Sequence, residues 1–287
     1  MKINTASTLK KPRWLDKKLN LADCRKLKKL LRDFKLNTVC EESLCPNMSE
    51  CFSQGVATFM ILGDICTRDC RFCGIKKGNP GSLDYDEPKR ISEAVRQLNL
   101  NYVVITSPTR DDLEDGGADL FFRTVRELKN LSSKIRVEIL IPDFLGKWTA
   151  LAKVAASGAD VISHNLETVP SLYIKVRKKA DYQRSLSIIR NIKKINKSIP
   201  VKSGLMLGLG EKESEVIEVL KDLRNADCDF LTLGQYLPPS ITHYPLEAYI
   251  HPEKFSYFEE QALSLGFRRI KSSVYTRSSY LAHTFLD

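Results

Sequence analysis

From residue 57 onward, short β-branched apolar runs alternate with amphipathic stretches. The run "ATFMILG" predicts a strand, a Cys-rich loop follows it, and "PKRISEAVRQLNL" predicts a helix. The alternation continues as "YVVITS" with "GADLFFRTVRELKNL", "IRVEILIPD" with "KWTALAKVAASG", and "ADVISHNLE" with "DYQRSLSIIRNIKKIN". "PVKSGLMLGLG" with "ESEVIEVLKDLRNA" and "CDFLTLGQYL" with "PEKFSYFEEQALSLG" complete six strand–helix units. Near-continuous apolar strands interleaved with helices predict an α/β fold, a parallel sheet covered on its outer face and joined by right-handed crossovers.

A doubly wound open sheet and a barrel both fit this rhythm. The polar residues separate them, because "TSPTRDD", "PDF", "SHNLE", "KSG" and "GQY" recur at strand ends. Several strands feeding one site from their C-terminal ends is the habit of barrels. Six units fall short of eight, so the expectation is a partial (β/α)6 barrel over residues 57–267. Its open side is to be closed by an N-terminal extension, 1–56, and a C-terminal one, 268–287. The first extension contains an amphipathic helix with Leu27, Leu30, Leu31 and Phe34 on one face. "GLMLGLGEKES" carries only the first half of a dinucleotide-binding fingerprint at Gly208 and Gly210, and reads as a glycine-lined turn.

At 287 residues, 43% hydrophobic and 28% charged, the chain has the composition of a globular protein with a sizeable core. No apolar run approaches the roughly 18 residues of a membrane helix, and the start "MKINTASTLKKPRWLDKK" lacks a signal-peptide core. A cytoplasmic location without membrane association is expected. The net charge of +10 is unevenly placed, since residues 1–39 hold twelve Lys or Arg against three Asp. Such a segment is either a solvated face or an attraction for acidic partners.

Six of the eight cysteines fall in two triplets, Cys40-x4-Cys45-x5-Cys51 and Cys66-x3-Cys70-x2-Cys73. Cys24 and Cys228 stand alone and read as small buried hydrophobes. In a reducing compartment, clustered thiols bind metal or do chemistry rather than form disulfides. Structural zinc wants four ligands from paired knuckles, and His164, His243, His251 and His283 have no knuckle spacing to either triplet. Three thiolates on a loop suit an iron–sulfur cluster with one iron left open, where a substrate can bind.

The array "CTRDCRFC" on the loop after the first strand, with Phe72 before its last Cys, resembles the radical S-adenosylmethionine (SAM) superfamily. Together with "CEESLCPNMSECF" and the C-terminal "RSSY", it is similar to the lipoyl synthase family. The resemblance also runs through "TSPTRDDLEDGGA", "EILIPDFLG", "SHNLETV", "VKSGLMLGLGE" and "LTLGQYLPPS". It implies a radical SAM-type partial barrel in which Cys66, Cys70 and Cys73 hold a four-iron, four-sulfur cluster whose open iron binds SAM. Cys40, Cys45 and Cys51 would hold an auxiliary cluster, with Ser279 as its fourth ligand and Ser278 the runner-up. A serine ligand suits a cluster that is to be dismantled, because an alkoxide is a hard, easily protonated ligand beside soft thiolates.

The implied reaction inserts two sulfur atoms, drawn from the auxiliary cluster, at the sixth and eighth carbons of a protein-bound octanoyl-lysine. Phe72, Asn165, Glu167 and Arg177 are the residues implied to contact SAM. The implied partners are acidic octanoylated lipoyl-carrier domains, docked by the basic N-terminal segment, an electron donor such as flavodoxin or ferredoxin, and an iron–sulfur carrier that rebuilds the spent cluster. No role is assigned to Arg13 or Arg277, and no nucleic acid is expected. The alternatives are a radical enzyme delivering sulfur to a small molecule or RNA base, and a zinc-stabilised nucleic-acid-binding protein. The chain departs from the family in "SSVYTRSSYLAH", which lacks a Gly-Pro before the motif, and in Pro108-Thr109 of "TSPTRDDL".

Overall fold

The apolar runs become strands in the order and direction that their alternation with helices requires. A computed structural model describes residues 9–17, 21–42, 45–53 and 58–286. Lys2 and Lys18, and the side chains of Cys24 and Leu27, lie outside the described residues. In chain order the strands are β1 (Asn37–Thr38), β2 (Thr58–Met60), β3 (Ile65–Cys66), β4 (Lys76–Lys77), β5 (Tyr102–Thr106), β6 (Arg136–Leu140), β7 (Val161–Ser163), β8 (Val201–Leu207), β9 (Phe230–Gln235) and β10 (Arg269–Ser273). The helices are α1 (Leu21–Asp33), α2 (Val39–Glu42), α3 (Met48–Ser53), α4 (Glu87–Gln97), α5 (Ala118–Leu131), α6 (Trp148–Ala155), α7 (Tyr173–Val176), α8 (Tyr182–Ile195), α9 (Glu213–Asn225) and α10 (Pro252–Ser264).

Among the described residues the main sheet has the order β1-β2-β5-β6-β7-β8-β9-β10. Every neighbouring pair from β2 to β10 is parallel, and β1 is antiparallel to β2. The order is linear, with β1 and β10 at its edges, so the barrel is incomplete as expected. It has one parallel strand more than the six units predicted. Strand β10 arises within the segment assigned to the C-terminal extension, and its sequence RIKSS lacks the apolar run that marks the others. An edge strand is buried less completely, so polar residues serve there without a penalty.

Ridges of apolar side chains from the helices cover the outer face. Ile91 and Val95 of α4, Phe121, Val125 and Leu128 of α5, and Leu220 and Leu223 of α9 are all buried. Each contributes roughly 1.5–3 kcal/mol of burial. In α1, Leu31 is buried, and Leu30 and Phe34, the latter one residue past the helix, pack partly against the same core. Cys228 is buried too. At the β8–α9 turn, Gly208 and Gly210 take φ of 100° and 104°, the left-handed region where a side chain is strained.

The inner face is different in kind. Register places Val104 beside Glu138, Glu138 beside Val161, Ser163 beside Lys202 and Lys202 beside Phe230, so these residues share one surface. A 3-10 turn at Ala282–Phe285 sits on it. Ala282 packs on Tyr102 and Val104, while Phe285 packs on Val161 and Phe230. One short turn reaches β5, β7 and β9 together only if the sheet curls around it. Beside Phe285, Lys202 pairs with Glu138 in full burial. Tyr102 Oη and Ser163 Oγ each donate to that carboxylate at 2.8 Å. The C-terminal segment therefore fills the concave face as well as adding a strand to its edge.

Candidate functional site

A cavity of about 500 Å³ opens at the C-terminal ends of the strands. Met60, Thr106, Leu140, Leu205 and Gln235 bring five strands to its wall. Cys66, Cys70 and Cys73 line it from one loop, Cys40 and Cys45 from the N-terminal segment, and Ser278 and Ser279 from the C-terminal one.

The loop from β3 to β4 is short and held at both ends. Gly78 N donates to Cys66 O at 3.0 Å, and Cys66 Sγ accepts from the N–H groups of Arg68 at 3.4 Å and Thr109 at 3.3 Å. The Arg68 guanidinium is buried and pairs with Asp111 at 2.7 Å and Asp143 at 2.5 Å, which follow β5 and β6. Arg184 of α8 adds a second cation to Asp143 at 2.7 Å. Burial alone would push the Asp143 carboxyl up, but the hydrogen bonds and charge of Arg68, with Arg184, hold it well below the usual carboxylate range. These ion pairs fasten the Cys loop to the strand ends.

The cofactor candidates lie beside that loop. Asn165 follows β7, and Glu167 stands at φ 66° while bridging Leu205 of β8. Asn165 Nδ2 donates to Glu167 Oε1 at 3.1 Å and to Ser278 Oγ at 2.5 Å. Arg177 donates through Nη1 to the carbonyls of Asn165 at 3.1 Å and Leu166 at 3.0 Å, so it is a part of the wall rather than an exposed helix charge. Burial pushes the Glu167 carboxyl up, against the neighbouring Arg177. Phe72 lines the same region.

Four polar atoms of this wall are buried with no hydrogen-bond partner: Asn165 Oδ1, Arg177 Nε, Ser107 Oγ and His164 Nε2. His164 Nδ1 lies 2.9 Å from Ile141 O, which can only accept, so the proton sits on Nδ1 and Nε2 offers a lone pair. Burial, helped by Arg177, pushes the imidazole down to about 4 and keeps it neutral. Leaving such groups unpaired is costly, so their convergence marks a place for a polar ligand. Two glycines make room beneath it. A Cβ on Gly204 would stand 2.6 Å from Thr232 Oγ1 and 3.1 Å from Asn165 Oδ1, and one on Gly234 would collide with Thr276 O.

The other triplet is assembled by α2 and α3. Cys45 N donates to Cys40 O at 3.0 Å, and Cys51 N to Asn47 O at 2.9 Å. Cys51 is buried behind the cavity wall rather than lining it, yet it remains within electrostatic reach of Cys40 and Cys45. Burial first, and then the neighbouring thiols, push Cys40 and Cys51 up to about 12. Cys73 is likewise pushed up to about 12 by burial. Such thiols give up protons to a metal, not to water. Arg277, left without a role above, is turned inward: it lines the cavity, donates to Thr276 O at 2.7 Å and lies near Cys45. Arg13 is exposed.

Among the described residues no three His, Cys, Asp or Glu side chains close on a single ion. Each thiolate of a cluster instead binds a different iron at the corner of a cage. Also among the described residues, no helix is long and apolar enough to cross a membrane. Arg68 and Ser107 are site residues that sequence reasoning passes over, while it weighs His164 only as a zinc ligand and gives Arg277 no role. Their advance signal is position, two residues from a candidate ligand or at a strand end.

Residues 60–223, more than half of the chain, match the Radical SAM superfamily. The lipoyl synthase of Caldicellulosiruptor saccharolyticus is 54% identical over 274 residues, covering 95% of this chain and 96% of that protein. The lipoyl synthase of Caldanaerobacter subterraneus is 51% identical over 280 residues and 98% of each chain. In fold, the chain is similar to methylornithine synthase, with TM-score 0.55 and 16% identity over 91% of this chain and 85% of that one. It is also similar to the hydrogenase maturase HydG of Carboxydothermus hydrogenoformans, with TM-score 0.58 and 11% identity over 93% and 77%. Radical SAM proteins carry a four-iron, four-sulfur cluster and SAM. Three free thiols on one loop, flanked by buried donors and acceptors without partners, suit both. The chain belongs to the radical SAM superfamily and, within it, to the lipoyl synthase family of sulfur-inserting enzymes.

Proposed function

We propose that this protein inserts two sulfur atoms at the sixth and eighth carbons of an octanoyl group carried on a lysine of a lipoyl-carrier domain. The observation that carries this reading is one cavity with cysteines of both triplets and Ser279 in its wall. An alkane carbon has no proton that a side-chain base can remove. Two iron–sulfur clusters and SAM, when bound, supply what the side chains lack, one-electron cleavage of an unactivated C–H bond and a source of sulfide.

The protein's part is to hold, orient and exclude water. Cys66, Cys70 and Cys73 hold the cluster that binds SAM. Asn165 and Glu167 take its ribose hydroxyls, Arg177 its carboxylate, and the backbone of Phe72 the adenine edge. Cys40, Cys45, Cys51 and Ser279 hold the second cluster. Ser279 is preferred over Ser278 because the Ser278 hydroxyl is engaged by Asn165. Met60, Ile141, Leu205, Met206 and Leu237 give the cavity apolar walls suited to an acyl chain. In this reading residues 1–56 bring one ligand set, 57–267 the barrel, and 268–287 the fourth ligand together with the edge strand.

The carrier is an acidic domain, drawn in by the basic N-terminal segment in the cytoplasm. A flavodoxin or ferredoxin supplies electrons, and an iron–sulfur carrier restores the consumed cluster.

The test is anaerobic reconstitution, followed by mass spectrometry of an octanoylated carrier peptide incubated with reduced enzyme and SAM. Protein with about eight irons per chain and a peptide gaining two sulfur atoms is the expected result. About four irons, or cofactor cleavage with no sulfur in the peptide, would overturn it. Ser279→Ala is expected to retain cofactor cleavage and lose sulfur insertion.

A further inference from the structure

The N-terminal segment and the C-terminal motif are tied by a network that the reaction scheme does not use. Lys17 Nζ donates to Glu50 Oε2 at 2.8 Å and to Asn47 Oδ1 at 2.5 Å. The same ammonium lies 4.8 Å from the ring centroid of Tyr275 and 5.5 Å from that of Tyr280. Tyr280 Oη donates to Glu50 Oε1 at 2.7 Å, Asn47 Nδ2 donates to Tyr275 O at 2.5 Å, and Tyr275 Oη donates to Leu15 O. The Lys17 and Glu50 side chains are only 19% and 35% exposed, so water screens this pair less than one on the open surface.

Sequence adjacency gives the network its meaning. Glu50 precedes Cys51, and Tyr280 follows Ser279. The Tyr280–Glu50 hydrogen bond thus sets the spacing between the serine and the cysteine triplet. We propose that Lys17 and Tyr280 are positioning residues that hold Ser279 in ligand position against Cys40, Cys45 and Cys51. The proposal rests on the reading that Ser279 completes a second cluster. A hydroxyl is a poor match for iron beside soft thiolates, so its hold depends on how narrowly its position is confined. Lys17 also offsets the charge of Glu50, which would otherwise add repulsion beside an anionic cluster.

The experiment compares full-length wild type, Tyr280→Phe, Lys17→Met, Lys17→Arg and Ser279→Ala, each reconstituted anaerobically with iron and sulfide. Iron per chain, the electron paramagnetic resonance of each cluster and iron release to a chelator are read. In Tyr280→Phe and Lys17→Met, about half of the iron (that of the second cluster) is expected to leave several-fold faster. The second cluster's spectrum should move toward that of Ser279→Ala, while the first cluster's spectrum stays in place. Lys17→Arg, which keeps the charge, should restore wild-type behaviour. Wild-type spectra and release rates in both Tyr280→Phe and Lys17→Met, with Ser279→Ala altered, would overturn the positioning role alone. A wild-type protein with about four irons, or an unaltered Ser279→Ala spectrum, would overturn the reading beneath it. Should Lys17→Met fail to fold, Tyr280→Phe removes a single hydroxyl and carries the same comparison.

Discussion

The Nδ2 of Asn165 lies 2.5 Å from the Oγ of Ser278, joining the end of a central strand to a loop 113 residues later. The same side chain thus touches both halves of the cavity, the wall beside Arg177 and the segment that carries Ser279.

Asn165→Ala is expected to weaken SAM binding about three- to tenfold, the worth of one neutral hydrogen bond. Equilibrium binding to protein loaded with its first cluster would measure this. Ser278→Ala should cost less than Asn165→Ala, because it removes the support and leaves the Oδ1 acceptor. Equal affinity in wild type and Asn165→Ala would show that the amide faces no ligand.

Arg68→Met leaves buried Asp143 with Arg184 as its partner and weakens the anchor of the Cys loop, a loss of about 2–3 kcal/mol, below that of a buried charge left wholly unpaired. Urea denaturation of the metal-free protein at neutral pH would read it. The Asp143 carboxyl titrates below its ordinary 3.8, so its stabilising contribution is whole above that value and fades as pH falls through the lower folded value. The gap between wild type and variant should therefore narrow only in strong acid. A gap that closes already near pH 6 would contradict this assignment.

Glu87 runs the other way. Its carboxylate accepts from Leu62 N at 2.9 Å just before the Cys loop, and burial pushes it up to about 7. A raised carboxyl favours the folded state when protonated, so that contribution is present below its ordinary 4.5 and is lost as pH rises through about 7. Glu87→Gln keeps an acceptor for Leu62 without the charge. It is expected to be more stable than wild type at pH 8 by up to about 3 kcal/mol, with no gain at pH 4. Denaturation midpoints at the two pH values decide it.

Gly234→Ala places a methyl group where Thr276 O now lies, pushing the C-terminal loop off β9. After reconstitution this variant should hold about four irons rather than about eight. Its first cluster should still cleave SAM. A full complement of iron would mean that the loop tolerates the shift.

Much of this arrangement was legible along the chain. Apolar runs such as "YVVITS" and "PVKSGLMLGLG" announce β5 and β8 because parallel strands are buried on both faces. The cysteine spacings are legible for another reason, since few other residue patterns suit a cluster. Strand β10 was not, because RIKSS at a sheet edge needs no apolar run. Nor were the partners of Arg68, for the pairing with Asp143 spans 75 residues and obeys no periodicity. His164 reads as one more polar residue until the buried face of its ring is seen.

The bond from Tyr280 to Glu50 spans 230 residues, and this separation has a consequence during synthesis. At roughly 5–20 residues per second, Cys40, Cys45 and Cys51 leave the ribosome tens of seconds before Ser279. If Ser279 completes a second cluster as proposed, a nascent chain presents an incomplete cage, and that cluster can mature only after translation has passed the RSSY motif.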